Sequence, residues 1–305
     1  MKKFYSGFVT IIGRPNVGKS TLINHYIGEK VSIVTSKPQT TRNKIRAILT
    51  GEDYQIIFID TPGLHEPTSK LGKFMVKSAE GAIKESDAVV YIIEPKLYKK
   101  AIPETEMTII NSIKRIKQSV FLVINKIDTV NKSELLEIID LYSKEYDFKE
   151  IIPISATKGE NTKSLLESLR QILPEGPAYF DEDMITDQPE RQIASEIIRE
   201  KALTFLQDEI PHGLAVEINS MKQKEPDNPD SIVHISATIY CERDNHKSIV
   251  IGKNGDMLKR IGTAARKDIE NLLGSKIFLE TWVRAKKNWR DSDFLLKNFG
   301  YTISV

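Results

Sequence analysis

Short apolar runs alternate with helical patterns over the first 173 residues of the chain. The runs are rich in β-branched residues and bounded by turn residues, as in buried strands. Residues 43–50 and 55–59, joined around Gly51, predict an antiparallel hairpin, and the other runs predict parallel strands with helices on both faces of the sheet. The predicted strands are 8–12, 43–50, 55–59, 88–93, 119–124 and 151–154. The pattern therefore predicts an α/β domain with a mixed, mostly parallel six-stranded sheet that binds ligands at the carboxyl ends of its strands.

The second half of the chain has a different order of elements. Leu173-Pro174-Glu175-Gly176-Pro177 ends the last helix of the first half, and the acidic stretch that follows predicts a linker over 174–189. Beyond it, an α-β-β-α-α-β order is typical of an α+β KH domain of the second type. Its predicted elements are helix 190–207, strands 214–221 and 231–241, a short helix ending at 251, helix 256–273 and strand 276–285. The predicted domains are therefore 1–173 and 190–305, the second with a C-terminal tail.

Composition and charge indicate where the protein is located and what kind of partner it binds. The single cysteine, Cys241, lies in an alternating stretch and is predicted to be a packed strand residue, not a nucleophile. No apolar run approaches the roughly 18 residues of a membrane span, so we expect a cytoplasmic protein. The net charge of +2 hides an asymmetry: residues 181–242 carry 5 basic and 14 acidic side chains, and residues 243–290 carry 12 and 5. The basic segment favours a polyanionic partner.

A glycine-rich loop follows the first predicted strand. It fits G-x-x-x-x-G-K-[ST], and a helical pattern begins directly after it, which is the context in which this motif binds phosphates. Backbone N–H groups of the loop can point at the phosphates, Lys19 supplies a positive charge to the β- and γ-phosphates, and Ser20 offers a hydroxyl to Mg²⁺. The predicted nucleotide-binding residues here are Gly13, Arg14, Pro15, Asn16, Val17, Gly18, Lys19, Ser20 and Thr21.

Two further segments are predicted to complete the metal and γ-phosphate site. Asp60 ends a hydrophobic strand and begins the sequence Asp-Thr-Pro-Gly. Its carboxylate is expected to hold Mg²⁺, and the Gly63 N–H to reach the γ-phosphate. Two adjacent threonines lie between the two motifs, and we favour Thr41 over Thr40 as the one that reaches the metal. The predicted metal ligands are Ser20, Thr41 and Asp60.

Two motifs after later strands predict selection of guanine. The Asp128 carboxylate, in the sequence Asn-Lys-Ile-Asp, can accept hydrogen bonds from the N1–H and 2-amino groups of guanine. Adenine has neither donor and would leave the carboxylate unpaired, a mismatch that discriminates by about 10⁴-fold. The stem of Lys126 is expected to lie along the base, and Asn125 to tie neighbouring loops together. Ser155 is expected to shape a turn that offers the Ala156 N–H to guanine O6. The predicted ligands are therefore GTP and GDP with Mg²⁺.

Residue 64 is a leucine where Ras-type GTPases place the glutamine that orients the attacking water. Leu64 cannot hydrogen-bond water, so catalytic help must come from elsewhere. We hypothesise that the side-chain oxygen of Asn16 helps to hold a monovalent cation, K⁺, against the phosphates. His65 is expected to be an exposed loop residue rather than a base. The predicted catalytic residues are Asn16, Lys19, Thr41 and Gly63.

A G-x-x-G loop at residues 252–255 lies between two predicted helices of the second domain. Such a loop lets backbone amides approach phosphates, and KH domains use it to clamp about four nucleotides. The predicted RNA-binding residues are Ile251, Gly252, Lys253, Asn254, Gly255, Lys259, Arg260, Arg266 and Lys267. Aromatic and basic residues then alternate between Trp282 and Arg290. This tail either extends the RNA surface, or Trp282 lies in the core and Trp289 packs the last helix on the sheet; the sequence favours neither.

These motifs in this order resemble the Era family of bacterial GTPases, in the superfamily that also holds Der and MnmE. The resemblance covers nearly the whole chain, and a single GTPase domain with an intact G-x-x-G loop distinguishes it from those two relatives. Its segments are 13–20, 39–42, 60–65, 125–128, 194–201, 251–255 and 300–301. The resemblance implies a Ras-like P-loop GTPase domain followed by a type II KH domain, with slow, Mg²⁺-dependent GTP hydrolysis.

The resemblance also implies a partner. Members bind the single-stranded 3′ end of small-subunit rRNA in the GTP state, release it after hydrolysis, and act in assembly and maturation of the 30S ribosomal subunit. The resemblance also implies that members sometimes associate weakly with the inner face of the cell membrane. We further expect a monomer, in the cytoplasm as argued above.

Two other classes fit part of the pattern. One is a regulatory GTPase that acts on protein or membrane partners and carries a structural KH-like domain; an RNA-binding assay, or loss of function on Lys253→Glu, separates it from the first interpretation. The other is a tRNA-modification enzyme related to MnmE, which needs a catalytic group and a folate-type domain that are not apparent in the sequence.

Overall fold

In a computed structural model of the protein, the described residues are 3–35, 37, 40–63, 67, 69–98, 101–207, 213–223 and 231–301. They fall into two compact units. The first comprises Met1–Ser32, Thr41–Glu66 and Met75–Asp187, and the second comprises Ile33–Thr40, Pro67–Phe74 and Gln188–Val305. The second unit therefore takes in two short segments from the first half of the chain. The domain boundaries at 173 and 190 stay a prediction.

A six-stranded sheet forms the centre of the first unit. Its strands are β1 (Tyr5–Ile12), β2 (Ile45–Thr50), β3 (Tyr54–Asp60), β4 (Ala88–Ile93), β5 (Ser119–Ile124) and β6 (Glu150–Pro153). Their order across the sheet is β2-β3-β1-β4-β5-β6, with β2 antiparallel to β3 and all other pairs parallel. The predicted hairpin and the mixed, mostly parallel sheet are confirmed.

Helices cover both faces of this sheet. They are α1 (Lys19–Ile27), α2 (Lys70–Glu85, of which residues 70–74 fall in the second unit), α3 (Glu104–Ile113), α4 (Lys132–Ser143) and α5 (Thr162–Arg170). Successive strand residues point to opposite faces, so Ile11 joins one core cluster and Ile12 the other. Leu22 of α1 packs in the first cluster, whereas Ile110 of α3 and Ile138 of α4 pack in the second. The loops at the carboxyl ends of the strands thus stand on a rigid, two-sided core.

The second unit has a three-stranded sheet and the predicted α-β-β-α-α-β order. Its elements are α6 (Glu190–Phe205), β7 (Ala215–Gln223), β8 (Val233–Cys241), α7 (Asp244–Ile251), α8 (Asp256–Leu273), β9 (Ile277–Ala285) and α9 (Asp293–Asn298). Strand β8 is central, antiparallel to β7 and parallel to β9. Ile197 of α6, Ile239 of β8 and Ile261 of α8 share one buried cluster. The KH topology predicted from the sequence is confirmed.

Burial decides two questions that the sequence raised. Cys241 is buried in β8, and burial raises the pKa of its thiol, so the prediction of a packed residue holds. Trp289 is also fully buried, and its indole N–H donates to the Gly213 carbonyl at 2.9 Å. Trp282 is 55% exposed on β9, so the suggestion that it lies in the core is wrong.

No helix among the described residues is both long and apolar enough to cross a membrane.

Candidate nucleotide site and nucleic-acid interface

The loop between β1 and α1 has a backbone that only glycine permits at two positions. Gly13 has a φ of 149°, and a Cβ there would lie 2.3 Å from the Ile92 carbonyl oxygen. Gly18 has a φ of 101°, and its Cβ would lie 2.1 Å from Asn125 Nδ2. Asn16, between them, is also left-handed with a φ of 68°. Ile92 of β4 and Asn125, directly after β5, therefore lie so close to the loop that its path is fixed.

Lys19, the first residue of α1, lies inside this loop. It is 6% exposed, and its Nζ donates to the carbonyls of Gly13 at 3.1 Å and Arg14 at 2.9 Å. Burial lowers the pKa of Lys19 to about 8, and the negative charge of Asp60 opposes the shift. A phosphate group brought into the loop would favour the charged form of this amine.

The three predicted metal ligands lie together. Ser20 Oγ donates to Asp60 Oδ2 at 2.7 Å, and Thr41 Oγ1 lies 3.3 Å from Ser20 Oγ and 3.4 Å from the same carboxylate oxygen. Asp60 is fully buried, and its other oxygen, Oδ1, has no hydrogen-bond partner within the described part of the chain. A buried carboxylate oxygen beside two hydroxyls fits a hard cation or its bound water.

This oxygen-only arrangement differs from an all-protein metal site. Within the described ranges, no group of three or more His, Cys, Asp or Glu side chains could hold a metal ion. Mg²⁺ is commonly held by one or two protein groups together with substrate phosphates and water, so the sparse donor set agrees with the predicted ion.

Two residues of the metal site escaped the sequence analysis. Ser32 Oγ donates to Asp60 Oδ2 at 2.6 Å. Asn24 of α1 fixes the backbone at Ser32, because its Oδ1 accepts the Ser32 N–H at 2.9 Å and its Nδ2 donates to the Ser32 carbonyl at 2.7 Å. Neither residue belongs to a local motif, and only the register of α1 against the following loop brings them together.

The segment after Asp60 is bonded to β1 and passes close to the phosphate loop. Thr61 Oγ1 donates to the Ile11 carbonyl at 2.7 Å, and a Cβ at Gly63 would lie 2.9 Å from the ring of Pro15. Glycine is therefore required at position 63 for its backbone to pass this close to the loop. Three residues of the sequence interpretation, Gln39, Leu64 and His65, lie outside the described residues.

Asn125 connects the predicted base-binding loops to the phosphate loop. Its Nδ2 donates to the Val17 carbonyl at 2.8 Å, and its Oδ1 accepts the Ala156 N–H at 3.0 Å. Lys126 Nζ donates to the Asn16 carbonyl at 2.9 Å and also pairs with Glu94. Asn125 thus makes the kind of link between loops that the sequence predicts. The Ala156 N–H, expected to face guanine O6, is bonded to Asn125 instead, because that buried donor finds an acceptor there.

Asp128 stands at the end of the same loop with its carboxylate partly exposed. A hydrogen bond from Ser155 lowers the pKa of Asp128, and Lys158 lies 3.7 Å away. The carboxylate is therefore kept ionised, which is the acceptor form that a guanine N1–H and 2-amino group require.

The G-x-x-G loop between α7 and α8 has a backbone as specialised as that of the phosphate loop. Gly252 has φ 76° and ψ 175°, and a Cβ there would lie 2.7 Å from Met257 Cβ. Asn254 and Gly255 are left-handed, with φ of 53° and 83°. The Lys253 and Asn254 side chains are exposed, so the loop presents a positive charge on a closely approachable backbone.

The basic residues predicted along α8 are all exposed but do not lie together. Lys259 is one turn from the G-x-x-G loop, whereas Arg266 and Lys267 lie about 15 Å along the helix from its first residue. The Arg260 guanidinium stacks over the Phe205 ring at 4.2 Å, so this side chain also packs α8 against α6. RNA contact by these four residues stays a prediction.

Sequence models of two families match the chain. One is described as a 50S ribosome-binding GTPase and matches residues 8–126, and the other is a KH domain that matches residues 209–290. GTPase Era of Clostridioides difficile is 54% identical over 299 residues, which cover 98% of this chain and 99% of the relative. GTPase Era of Ruminiclostridium cellulolyticum is 52% identical over 298 residues, 98% of each chain. The chain belongs to the Era family of GTPases.

Solved structures of the Era family are similar to this chain over nearly its full length. Two have a TM-score of 0.92 and 40% identity, and each match covers 98% of this chain and 100% of the solved one. One is Era in complex with MgGDPNP and nucleotides 1506–1542 of 16S ribosomal RNA. The other is an Aquifex aeolicus Era variant bound to GDP·AlF₄⁻. The resemblance inferred from the motifs is confirmed, with a GTPase domain followed by a KH domain.

Proposed function

We propose that this protein binds and hydrolyses GTP, binds the single-stranded 3′ end of 16S rRNA through its KH unit, and acts in assembly and maturation of the 30S subunit. The observation that carries the proposal is the convergence of Ser20 and Thr41 on Asp60 Oδ2 beside Lys19, while Asp60 Oδ1 has no hydrogen-bond partner among the described residues. An Era protein 40% identical to this chain was crystallised with MgGDPNP and 16S rRNA, which supports both the nucleotide and the RNA.

In this proposal the nucleotide is held by three sets of residues. Backbone N–H groups of loop 13–18 and the ammonium of Lys19 receive the phosphates. Ser20, Thr41 and Asp60 hold Mg²⁺ directly or through water, and the ion supplies neutralisation of charge on the β- and γ-phosphates. Asp128 accepts from the guanine edge, while the Lys126 stem lies along the base. Asn125 keeps the phosphate loop and the base loops at a fixed spacing.

Hydrolysis is assigned to Lys19, Gly63, Thr41 and Asn16. Lys19 and the Gly63 N–H stabilise charge on the γ-phosphate, and Thr41 links the metal to the loop that precedes β2. Asn16 helps to hold K⁺ against the phosphates. Replacing K⁺ by Na⁺ should slow hydrolysis by this protein; an unchanged rate would remove the cation role from Asn16.

RNA is assigned to the G-x-x-G loop and to the helix after it. Backbone amides of residues 252–255 approach the RNA phosphates, Lys253 supplies charge, and unstacked bases enter the groove beside Ile251. Lys259, Arg260, Arg266 and Lys267 extend the basic surface. Contacts of Thr41 and Gly63 with the γ-phosphate couple the nucleotide state to RNA affinity, by about 1–3 kcal/mol if the coupling is of ordinary size. A monomeric state, a cytoplasmic location and weak peripheral membrane association belong to the same proposal.

The experiment is RNA binding by matched charge variants. Fluorescence anisotropy with a labelled 3′-terminal 16S rRNA oligonucleotide, at fixed salt and with a GTP analogue, compares the wild type with Lys253→Glu and Lys297→Glu. Both lysines are exposed in the second unit, but only Lys253 lies in the G-x-x-G loop. Loss of binding in Lys253→Glu alone supports the proposal. Equal effects of both variants, or no binding by the wild type, would contradict it and favour a switch that acts on protein partners.

A further inference from the structure

A buried carboxylate stands behind the phosphate loop and takes no part in the site described above. Glu106, in the first turn of α3, is 4% exposed. Arg14 Nη1 lies 3.2 Å from its Oε1, and the Tyr98 hydroxyl donates to the same oxygen at 3.0 Å. Its Oε2 accepts from the Tyr142 hydroxyl and, at 3.5 Å, from the Tyr91 hydroxyl. Four donors thus satisfy a charge that would be costly to bury alone.

The three tyrosines are dependable donors. Burial, with the charge of Glu106, raises the pKa of Tyr91, Tyr98 and Tyr142, that of Tyr98 to about 12. All three hydroxyls therefore remain protonated at neutral and mildly alkaline pH. Of the four donors, only Arg14 brings a positive charge, and only Arg14 belongs to the phosphate loop.

Arg14 is bonded at both ends. Its guanidinium pairs with Glu106 outside the loop, and its carbonyl accepts from Lys19 Nζ at 2.9 Å inside the loop. The Arg14 side chain is 43% exposed, so burial alone does not fix its position. The contact with Glu106 joins α3, 92 residues further along the chain, to the peptide that holds the phosphate-binding lysine.

An apolar side chain at position 106 would leave the buried hydroxyls of Tyr91 and Tyr142 without this acceptor, but a neutral amide oxygen would serve them as well. The full negative charge therefore matters mainly for the contact with Arg14. The carboxylate fixes the position of Arg14, because the guanidinium can pair with it from one place only. A phosphate loop that already has its binding conformation loses less conformational entropy when the phosphates bind. Its affinity for them is therefore higher.

We propose that Glu106 is a positioning residue for the nucleotide site: acting through Arg14, it holds the phosphate loop and Lys19 in the arrangement that receives the phosphates. The proposal rests on the proposed GTP binding and assigns a role in it to a helix that contacts no nucleotide. Its expected signature is weaker binding of GDP and GTP alike, since the loop serves both.

The test is a double-mutant cycle on the full chain, with fluorescent GDP as the probe. Glu106→Gln should weaken GDP binding about tenfold. Glu104→Gln removes the same charge from an exposed site in the same turn and should leave the affinity unchanged. In an Arg14→Met background, Glu106→Gln should have no further effect, because its action passes through Arg14. A purely structural role would make the two effects additive and would overturn the proposal.

Circular dichroism and urea unfolding establish that each variant is folded. If Glu106→Gln does not fold, Arg14→Met, a change at a half-exposed side chain, still decides the matter: wild-type GDP affinity in that variant would overturn the proposal. Failure of the wild type to bind GDP would contradict the proposed function itself, so the two failures are distinguishable.

Discussion

The phosphate loop of the first unit and the G-x-x-G loop of the second are both glycine loops that lead into a helix, yet their side chains behave in opposite ways. Lys19 and Asp60 are buried and bonded to neighbouring groups, whereas Lys253 and Asn254 are exposed. A buried network has one favoured arrangement and selects a ligand by its atoms. An exposed lysine on a loop with glycine-only backbone conformations can bind many nucleic-acid sequences, because all of them share the phosphate backbone. The comparison teaches that the nucleotide site depends on side-chain identity, whereas the G-x-x-G loop depends on its backbone conformation together with the charge of Lys253.

The largest expected effect comes from changing one acceptor in the nucleotide site. Asp128→Asn replaces a carboxylate oxygen by an amide donor, which cannot accept both guanine hydrogens but matches the 2-oxo group of xanthine. We expect GDP affinity to fall on the order of 10⁴-fold and xanthosine diphosphate to bind better than GDP. Competition against a fluorescent nucleotide measures both. Retained preference for guanine would mean that side-chain identity does not select the base.

The role of backbone conformation is tested by replacing each glycine of the G-x-x-G loop with alanine, one at a time. Gly252→Ala places a Cβ 2.7 Å from Met257 Cβ in a conformation that is essentially restricted to glycine, so we expect RNA affinity to fall by more than about tenfold. Gly255→Ala meets nothing within 4 Å and adds only the strain of a left-handed φ, about 1 kcal/mol. Anisotropy should rank the two variants in that order.

Both glycine variants should bind GDP as the wild type does, which serves as the control for folding of the first unit. Equal RNA affinities for Gly252→Ala and Gly255→Ala would show that the backbone conformation at position 252 does not determine RNA binding.

A smaller effect follows from the titration of Lys19. Its pKa in the nucleotide-free protein is lowered to about 8, and phosphates favour the charged amine. Above pH 8 the free protein holds a neutral Lys19, so binding must take up a proton. GDP affinity should then fall as pH rises from 7.5 to 9, by up to about tenfold per pH unit above 8. Calorimetry in buffers of different ionisation enthalpy measures the affinity and the proton uptake.

Lys19→Met isolates this titration. Ionisation of guanine at alkaline pH acts on both proteins equally, so the difference between their pH profiles belongs to Lys19. The variant should bind weakly, with no proton uptake by residue 19. Identical profiles in wild type and variant would show that Lys19 stays charged in the free protein.

The sequence predicted most of what the two loops have in common. Motifs at the ends of β1, β3 and β5 could be assigned because parallel strands bring their carboxyl ends to one edge of the sheet. Ser20, Thr41 and Asp60 meet there, as expected. The G-x-x-G loop could be assigned because α7 and α8 have clear helical patterns on either side of it.

Contacts between elements far apart in sequence could not be predicted. Glu106 stands 92 residues from Arg14, and no motif marks it among the other glutamates of the chain. Trp282 and Trp289 sit in the same alternation of aromatic and basic residues. Trp289 is buried: its indole N–H donates to the carbonyl of Gly213, 76 residues away, and its ring packs against Phe299. Whether such a side chain is buried depends on tertiary packing, which cannot be inferred from local composition.

The central claim is that the nucleotide bound at the phosphate loop controls the affinity of the G-x-x-G loop for RNA. The direct measurement is the affinity for a 3′-terminal 16S rRNA oligonucleotide at fixed salt, first with GDP and then with a non-hydrolysable GTP analogue. The account predicts tighter binding in the GTP-analogue state, by roughly 5- to 150-fold. Equal affinity in the two states would contradict it.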